Sequence, residues 1–375
     1  MAAPGDDLRR HALQRRHPAH SPAALRGPEG GGDRTRNPWR HGDRGVQERD
    51  PRNRSGRAGS AVHRGGRDAP PGYAHRRVRF PGKELTGTGS PEWGPAAPLG
   101  NLRERSRLVA RLRAFLTGRG YLEVETPILG PHATPDRHLE SVSAAGGFLH
   151  TSPEFAMKRL LAARSGPIFQ IVKAFRAGES GRQHAVEFTI AEWYRLGPLE
   201  GLLTEMDLLL GDLLGTRPAE RRTYRELFLA AVGVDPLSAA EERLQTLAEA
   251  HGHPGRPDDR AAALDYLFSR LVEPGLGARV PTIVTRFPAP LAALARLSDD
   301  DPRTAERFEV FWAGLELANG YDELQDPAEH RRRFAAENRA RERAGKPAAH
   351  PDGRFLAALE DPGIPRCSGV ALGVD

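Results

Sequence analysis

From about Pro98 onward, hydrophobic positions recur with a period that switches between 3.6 and 2, and each switch marks an element. Leu108, Leu112, Phe115 and Leu116 recur at helical spacing, with Asn101 as the expected N-cap and Gly118 and Gly120 as the stop. YLEVETP (residues 121–127) alternates as a short strand that Pro127 ends, and GFLHTS (147–152) reads as another. A helix is predicted from about Pro153 to Ala163. IFQIVKAFR (168–176) and EFTIAEWYR (187–195) are predicted strands, and the polar, glycine-bearing loop between them implies an antiparallel hairpin. Residues 199–214 read as an amphipathic helix and residues 222–280 as a helical insertion. TIVTRF (282–287) is a predicted strand. RFEVFW (307–312), the turn Ala313–Gly314 and LELANG (315–320) form a second predicted hairpin. A polar, Arg-rich helix at 330–343, expected to present a solvated face, precedes the final apolar run CSGVALGVD. Strands joined as hairpins with peripheral helices predict an α+β fold on an antiparallel sheet. The chain carries no Walker or GxGxxG signature.

Composition changes this picture only when it is divided. Residues 1–100 carry 19 Lys+Arg against 10 Asp+Glu, while residues 101–375 carry 36 against 39. The basic pI therefore belongs to the first hundred residues, and the remainder is mildly acidic. That first stretch holds 17 Gly and 12 Pro, no Ile, and nine Leu, Val and Phe together. It buries too little apolar surface to offset chain entropy and is expected to be disordered over residues 1–91. Arg outnumbers Lys 51 to 4, the bias of GC-rich coding, so an artefactual, nonfunctional extension is the favoured reading over an Arg/Gly-rich RNA-binding arm. Residues 92–375 are expected to form one domain. The single cysteine, Cys367, excludes an internal disulfide and lacks a base partner in sequence. No run approaches the roughly 18 apolar residues of a membrane span, so a soluble, cytoplasmic protein is expected.

The stretch FRAGESGRQHAVEFTIAEWYR (175–195) holds the candidate chemistry. Period-two geometry puts Glu192 and Tyr194 on one face with Phe188 and Ile190. A carboxylate and a phenol among apolar side chains are costly to bury unless they bind something. A cation pocket beside an Arg-lined phosphate site is one use; surface charge on a hairpin is the other. His132 and His138, six apart with no third ligand in sequence, are not read as a metal site.

FRAGE…GRQH…EFT…EWYR resembles motif 2 of class II aminoacyl-tRNA synthetases in its lysine-specific form. GRGYLEVETPIL (118–129) resembles motif 1, TSPEFAMKRLL (151–161) the segment that binds the amino acid, and CSGVALGVD the start of motif 3. ERFEVFWAGLELANGYDEL (306–324) resembles the stretch preceding motif 3. Trp193 in EWYR, Ala371 where synthetases keep glycine, and an N-terminal segment unable to form an anticodon-binding barrel resemble the protein-modifying branch of that family. The resemblance implies activation of lysine or (R)-β-lysine by ATP with Mg²⁺, and transfer to a lysine ε-amine of elongation factor P. It also implies a homodimer through motif 1. A tRNA-charging lysyl enzyme and a truncated, non-catalytic paralogue are the alternatives.

Carried over residue by residue, Arg176 and Glu316 are the implied catalytic residues, Arg176 on the α-phosphate and Glu316 on Mg²⁺. Ser152, Pro153, Glu154, Tyr194, Asn319, Glu323 and Ala371 are implied for the amino acid. Ala177, Gly178, Glu179, His184, Ala185, Leu317 and Gly373 join Arg176 and Glu316 for ATP. Three departures stand out. Glu179 is displaced by one position from the family's adenine-contacting acid, and Ala185-Val186 replaces Asn-Pro. The motif 3 arginine is expected right after Asp375, so the chain reads as cut within that motif.

Overall fold

The computed structural model describes residues 93–375 apart from 96, 182 and 183. The expected disorder of residues 1–91 lies outside the described residues. The first helix, α1 (Leu99–Thr117), begins after Pro98. Asn101, the expected N-cap, lies inside the first turn instead, its N–H already bonded to Pro98 O at 2.9 Å. Leu112 and Leu116 carry its buried stripe.

Eight strands form the main sheet, in the order β1-β5-β6-β11-β10-β9-β8-β7. They are β1 (Leu122–Glu123), β5 (Ile168–Phe175), β6 (Glu187–Leu196), β7 (Glu220–Thr223), β8 (Thr282–Pro288), β9 (Thr304–Trp312), β10 (Leu315–Asp322) and β11 (Cys367–Gly373). Both predicted hairpins form, β5 with β6 and β9 with β10. The β9–β10 turn is Ala313–Gly314, with φ of 52° and 75°, the positive-φ pair that matches the twist of its strands. The six inner strands are antiparallel, whereas β1 pairs with β5 and β7 with β8 in parallel. The sheet is therefore mixed at its two edges. The apolar run 367–373 is a central strand between β6 and β10. Motif 1 contributes less strand than its alternation predicts: only Leu122 and Glu123 join the ladder before the chain turns away toward Pro127. A small second sheet contains β2 (Leu129–Gly130), β3 (Ser143–Ala144) and β4 (Gly147–Leu149).

α3 (Leu199–Leu214) spans the predicted amphipathic helix, closed by Gly215 at a φ of 66°. With α1 it covers one face of the sheet, where Trp193, Ala191, Val370, Leu372, Phe308, Val310 and Ala318 meet Leu202, Met206 and Leu209. α2 (Glu154–Ala162) follows Pro153 as predicted. The insertion folds as α4 (Tyr224–Val232), α5 (Glu241–Ala250) and α6 (Arg260–Leu271), around stacked Tyr224, Phe228 and Phe268. Thr223 and Glu226 make a reciprocal capping box on α4, and Asp259 caps α6.

α7 (Pro327–Arg343) is the Arg-rich helix; Arg331, Arg332, Arg339 and Arg343 form the expected solvated face, whereas Arg333 and Arg341 turn inward. Arg341 is buried and donates to Asp136 O at 2.8 Å and Leu139 O at 3.0 Å. Arg333 reaches Ala295 O at 2.7 Å. From the facing loop, Arg137 holds Glu337 of α7 and Asp259 at 3.0 and 2.6 Å. Planar, always-charged forks are tolerated in the interior where carbonyls and carboxylates receive their donors. This braces residues 131–142, which in turn bond Thr151 through Thr134 at 2.7 Å. α8 (Gly353–Glu360), not anticipated by the pattern, is capped by Asp352 and packs Phe355 on Phe155 of α2.

Candidate active site

The strand register assembles the site before any side-chain detail is needed. Directly paired residues project to the same face of a sheet. One row reads Gln170–Glu192–Ala371–Asn319–Glu309 across β5, β6, β11, β10 and β9. The neighbouring row reads Ile168–Tyr194–Gly369–Tyr321–Arg307. Every polar group in these rows lies opposite the α1–α3 core. Trp193, which sets EWYR apart, points into that core, where its indole and the Tyr121 hydroxyl share Glu205 at 3.1 and 2.8 Å.

At one end of the rows is a buried carboxylate pocket. Glu192 accepts from Ser152 Oγ and from the Tyr194 hydroxyl, both at 2.6 Å. Burial and the charge of Glu154 push its carboxyl up to about 7, against the pull of those donors and of Lys158. Glu323 is pushed up to about 8, chiefly by burial. Lys158, with no solvent exposure, bridges Glu154 and Glu323 at 2.6 and 2.5 Å. Gly369 forms the floor: a Cβ there would stand 2.3 Å from the Tyr194 ring and 2.6 Å from Glu323 Oε1. Pro153 is buried at the start of α2, and Ser152 Oγ accepts from Glu154 N at 3.0 Å. Cys367 lies buried beneath, its thiol pushed up by burial.

At the other end, Arg307 pairs with Glu309, donates to Leu291 O at 2.6 Å and lies over the Phe287 ring. Glu316 opens to solvent in a crevice, yet its carboxyl is pushed up to about 8 by surrounding protein and by Glu309. Glu273, just beyond α6, rises to about 7 by burial and the same neighbour. Mutually repelling carboxylates of this kind favour a bound cation. Arg176 stands within electrostatic reach of Glu316. It packs on Phe188 at 4.9 Å, and its buried Nε has no partner among the described residues. Its nearest carboxylate is Glu179 at 3.9 Å, too long for a hydrogen bond, which leaves the fork available to an anion.

The structure thus brings Ser152, Glu154, Tyr194 and Glu323 together and sets Ala371 between Glu192 and Asn319. Asn319 leans the other way, donating to Glu309 at 3.3 Å. Ala177 is tied to Glu140 O at 2.7 Å, and Gly178 turns with a φ of 83°. His184 and Ala185 are exposed on the motif 2 loop. Gly373 ends its strand beside open space. Leu317 sits in a β-bulge between Glu316 and Ala318 and packs on the core, so only its backbone faces the crevice. Three residues join these: Lys158, Arg307 and Glu309. The signal for the last two was present, since Arg307 and Glu309 alternate with Phe308 and Val310 in RFEVFW. Glu192, which alternation pairs with Tyr194 as a candidate cation pocket, is not among the residues that the resemblance carries over.

Comparison with known proteins bears on this arrangement. A sequence profile of class II tRNA synthetases (D, K and N) matches residues 98–196 and 272–375, leaving out α3 and the helical insertion. The elongation factor P--(R)-beta-lysine ligase of Histophilus somni (strain 2336) is 46% identical over 296 residues, 76% of this chain and 91% of that protein. The protein of the same name from Haemophilus influenzae (strain PittGG) is 47% identical over 295 residues, again 76% and 91%. That from Pasteurella multocida (strain Pm70) is 44% identical over 295 residues, with the same coverage.

Proposed function

The chain belongs to the class II tRNA synthetases (D, K and N), and from that membership we propose that it is an ATP-dependent ligase that activates (R)-β-lysine or lysine and transfers it to a lysine ε-amine of elongation factor P. The observation that carries this reading is the polar face of the sheet, which holds the buried carboxylate pocket of Glu192 and Glu323. Further along the strands it holds Glu316, within electrostatic reach of Arg176, whose buried Nε has no partner among the described residues. One extended amino acid lies along such a face with its ammonium at Glu192 and its carboxylate toward Arg176.

The chemistry then follows from charge. A carboxylate oxygen of the amino acid attacks the α-phosphorus in line, and the bond to the departing pyrophosphate breaks. Arg176 clamps the α-phosphate, and the catalyst's main contribution is alignment and neutralisation. In the second step an ε-amine of the factor attacks the carbonyl carbon, AMP leaves with the bonding pair, and the amine loses a proton as the amide forms. Glu192, Tyr194, Glu323 and Ser152 keep the substrate's ammonium fixed throughout. The backbone of Ala177, Gly178 and Ala185, with Glu179, His184, Leu317 and Gly373, frames the nucleotide.

The acidic end fits magnesium. Among the described residues no three His, Cys, Asp or Glu side chains form a ready metal cage. That suits an ion held by one or two carboxylates together with substrate phosphates. Glu316, backed by Glu309, would hold it, and it would supply neutralisation of phosphate charge. A homodimer is supported by the exposed apolar positions Leu99, Leu102, Leu122, Ile128 and Leu129 on and beside α1. Among the described residues no helix is long and apolar enough to cross a membrane. The enzyme works in the cytoplasm, where its protein substrate acts.

The test incubates the protein with ATP, (R)-β-lysine or lysine, and either elongation factor P or tRNA, following mass and pyrophosphate release. A mass gain on the factor is expected. A gain on tRNA alone would overturn the proposal in favour of a tRNA-charging enzyme, and no pyrophosphate release with any lysine isomer would leave a non-catalytic binder.

A further inference from the structure

Lys158 is the cation of the amine pocket that the chemistry above does not use, and it carries the same ε-ammonium as the substrate. It projects from α2 with no solvent exposure and bonds Glu154 on its own helix and Glu323 after β10. Around it stand Glu192 of β6, Cys367 of β11 and, from α7, His330, which burial and then the Lys158 charge hold neutral. Burying an ammonium is costly unless it is paired, and here two carboxylates share it. Glu192, by contrast, is met by two neutral hydroxyls and no bonded cation among the described residues.

We infer that Lys158 is a built-in ammonium that occupies the place between Glu154 and Glu323, offsets part of their charge so that Glu192 is the principal partner of the substrate's amine, and so sets how much positive charge the pocket accepts. The inference rests on the reading that this site binds a lysine-type amino acid. Once Glu192 and Glu323 are ionised, three carboxylates and one resident ammonium leave an excess of two negative charges. A lysine-type substrate supplies two ammonium groups, while its own carboxylate is spent at the phosphate end. Lys158 is thus a specificity-determining, positioning residue rather than a catalytic one.

The consequence is electrostatic. A carboxylate binds an ammonium strongly only when ionised, so amino-acid affinity rises as pH climbs through about 7, where Glu192 ionises. Lys158 favours the ionised form and Glu154 opposes it. Removing Lys158 alone moves the limb to higher pH; removing Glu154 as well moves it back.

The experiment measures KM for lysine by pyrophosphate–ATP exchange on the full chain, from about pH 6 to about pH 9. In Lys158→Met the limb is expected about one unit higher, a roughly tenfold weaker KM at neutral pH, with kcat above the limb within about threefold. In Lys158→Met with Glu154→Gln, which keeps the buried charge balanced, KM rises at every pH because Glu154 itself serves the amino acid, but the limb returns to within about half a unit of wild type. A folded Lys158→Met with an unmoved limb overturns the inference, because a structural role lowers Tm without touching the pH profile. If the single variant does not fold, a double variant whose limb lies a unit or more from wild type overturns it equally. Wild-type protein showing no lysine-dependent exchange at any pH is a separate failure, of the functional reading itself, and the inference falls with it.

Discussion

One methyl group added at Gly369 tests the amine pocket through its floor. Gly369 pairs with Tyr194 on one side and Tyr321 on the other, in the second polar row. In Gly369→Ala the new Cβ would stand 2.3 Å from Tyr194 Cε1, 2.5 Å from its Cδ1 and 2.6 Å from Glu323 Oε1. Carbon contacts relax near 3.5–4.0 Å, so the ring must retreat by about 1 Å. The 2.6 Å hydrogen bond from Tyr194 to Glu192 then opens beyond useful length. A hydrogen bond to a charged group contributes about 1.5–3 kcal/mol, and overpacking costs about 1–3 kcal/mol of stability. The amino-acid KM in pyrophosphate exchange is therefore expected to rise about 10- to 100-fold, at 1.4 kcal/mol per tenfold. The KM for ATP should stay within about twofold, because Gly373 and the other groups that frame the nucleotide lie four or more residues further along the strands. Tyr194→Phe, which removes the hydroxyl without crowding the floor, should reproduce the amino-acid effect while losing less stability. A Gly369→Ala protein with unchanged amino-acid KM, or one in which both KM values rise together, would refute the placement of the amine against this rung.

Two further outcomes follow from the acidic crevice and from α7. Glu316→Gln is expected to lower exchange turnover by about 10²- to 10³-fold and to raise the magnesium concentration for half-maximal rate, with Tm little changed because the residue opens to solvent. An unaltered magnesium dependence, read by titration, would remove Glu316 from the metal-holding role. His330 is fully buried, donates through Nε2 to Leu324 O at 2.9 Å, and has its pKa lowered to about 4 by burial and then by Lys158. Its folded pKa lies below the unfolded value of about 6.5, so its contribution is complete above pH 6.5 and is lost as pH falls toward 4. At about 1.36 kcal/mol per unit the loss reaches about 3 kcal/mol. Urea unfolding across that window should show a shallower acid decline in His330→Gln than in wild type, and parallel declines would count against it.

Alternation along one strand was enough to find Glu192 and Tyr194, because a strand's own period states which residues share a face. What it could not state is which strands lie side by side. The row from Glu192 through Ala371 and Asn319 to Glu309 exists only once β11 is inserted between β6 and β10, and the β6–β11 half of that insertion joins segments more than a hundred residues apart. Glu309 therefore stays outside the residues that the sequence picks out, and the hydrogen bond from Asn319 to it is invisible there. Lys158 was hidden for a different reason. On an amphipathic helix a lysine reads as solvent-facing, and nothing local reveals that Glu323, 165 positions later, will close over it. On α7 the inward Arg333 and Arg341 are hidden in the same way among solvated arginines, since a run of charge has the same pattern whether water or buried carbonyls receive it. The parallel edge strand β7 is equally silent: ERRT has no apolar face, and it is a strand because β8 offers it an edge. Residues whose identity is dictated by their own element were legible, and those dictated by a partner element were not. The catalytic face belongs largely to the second kind, because charges are tolerated in the interior only where the fold delivers their partners.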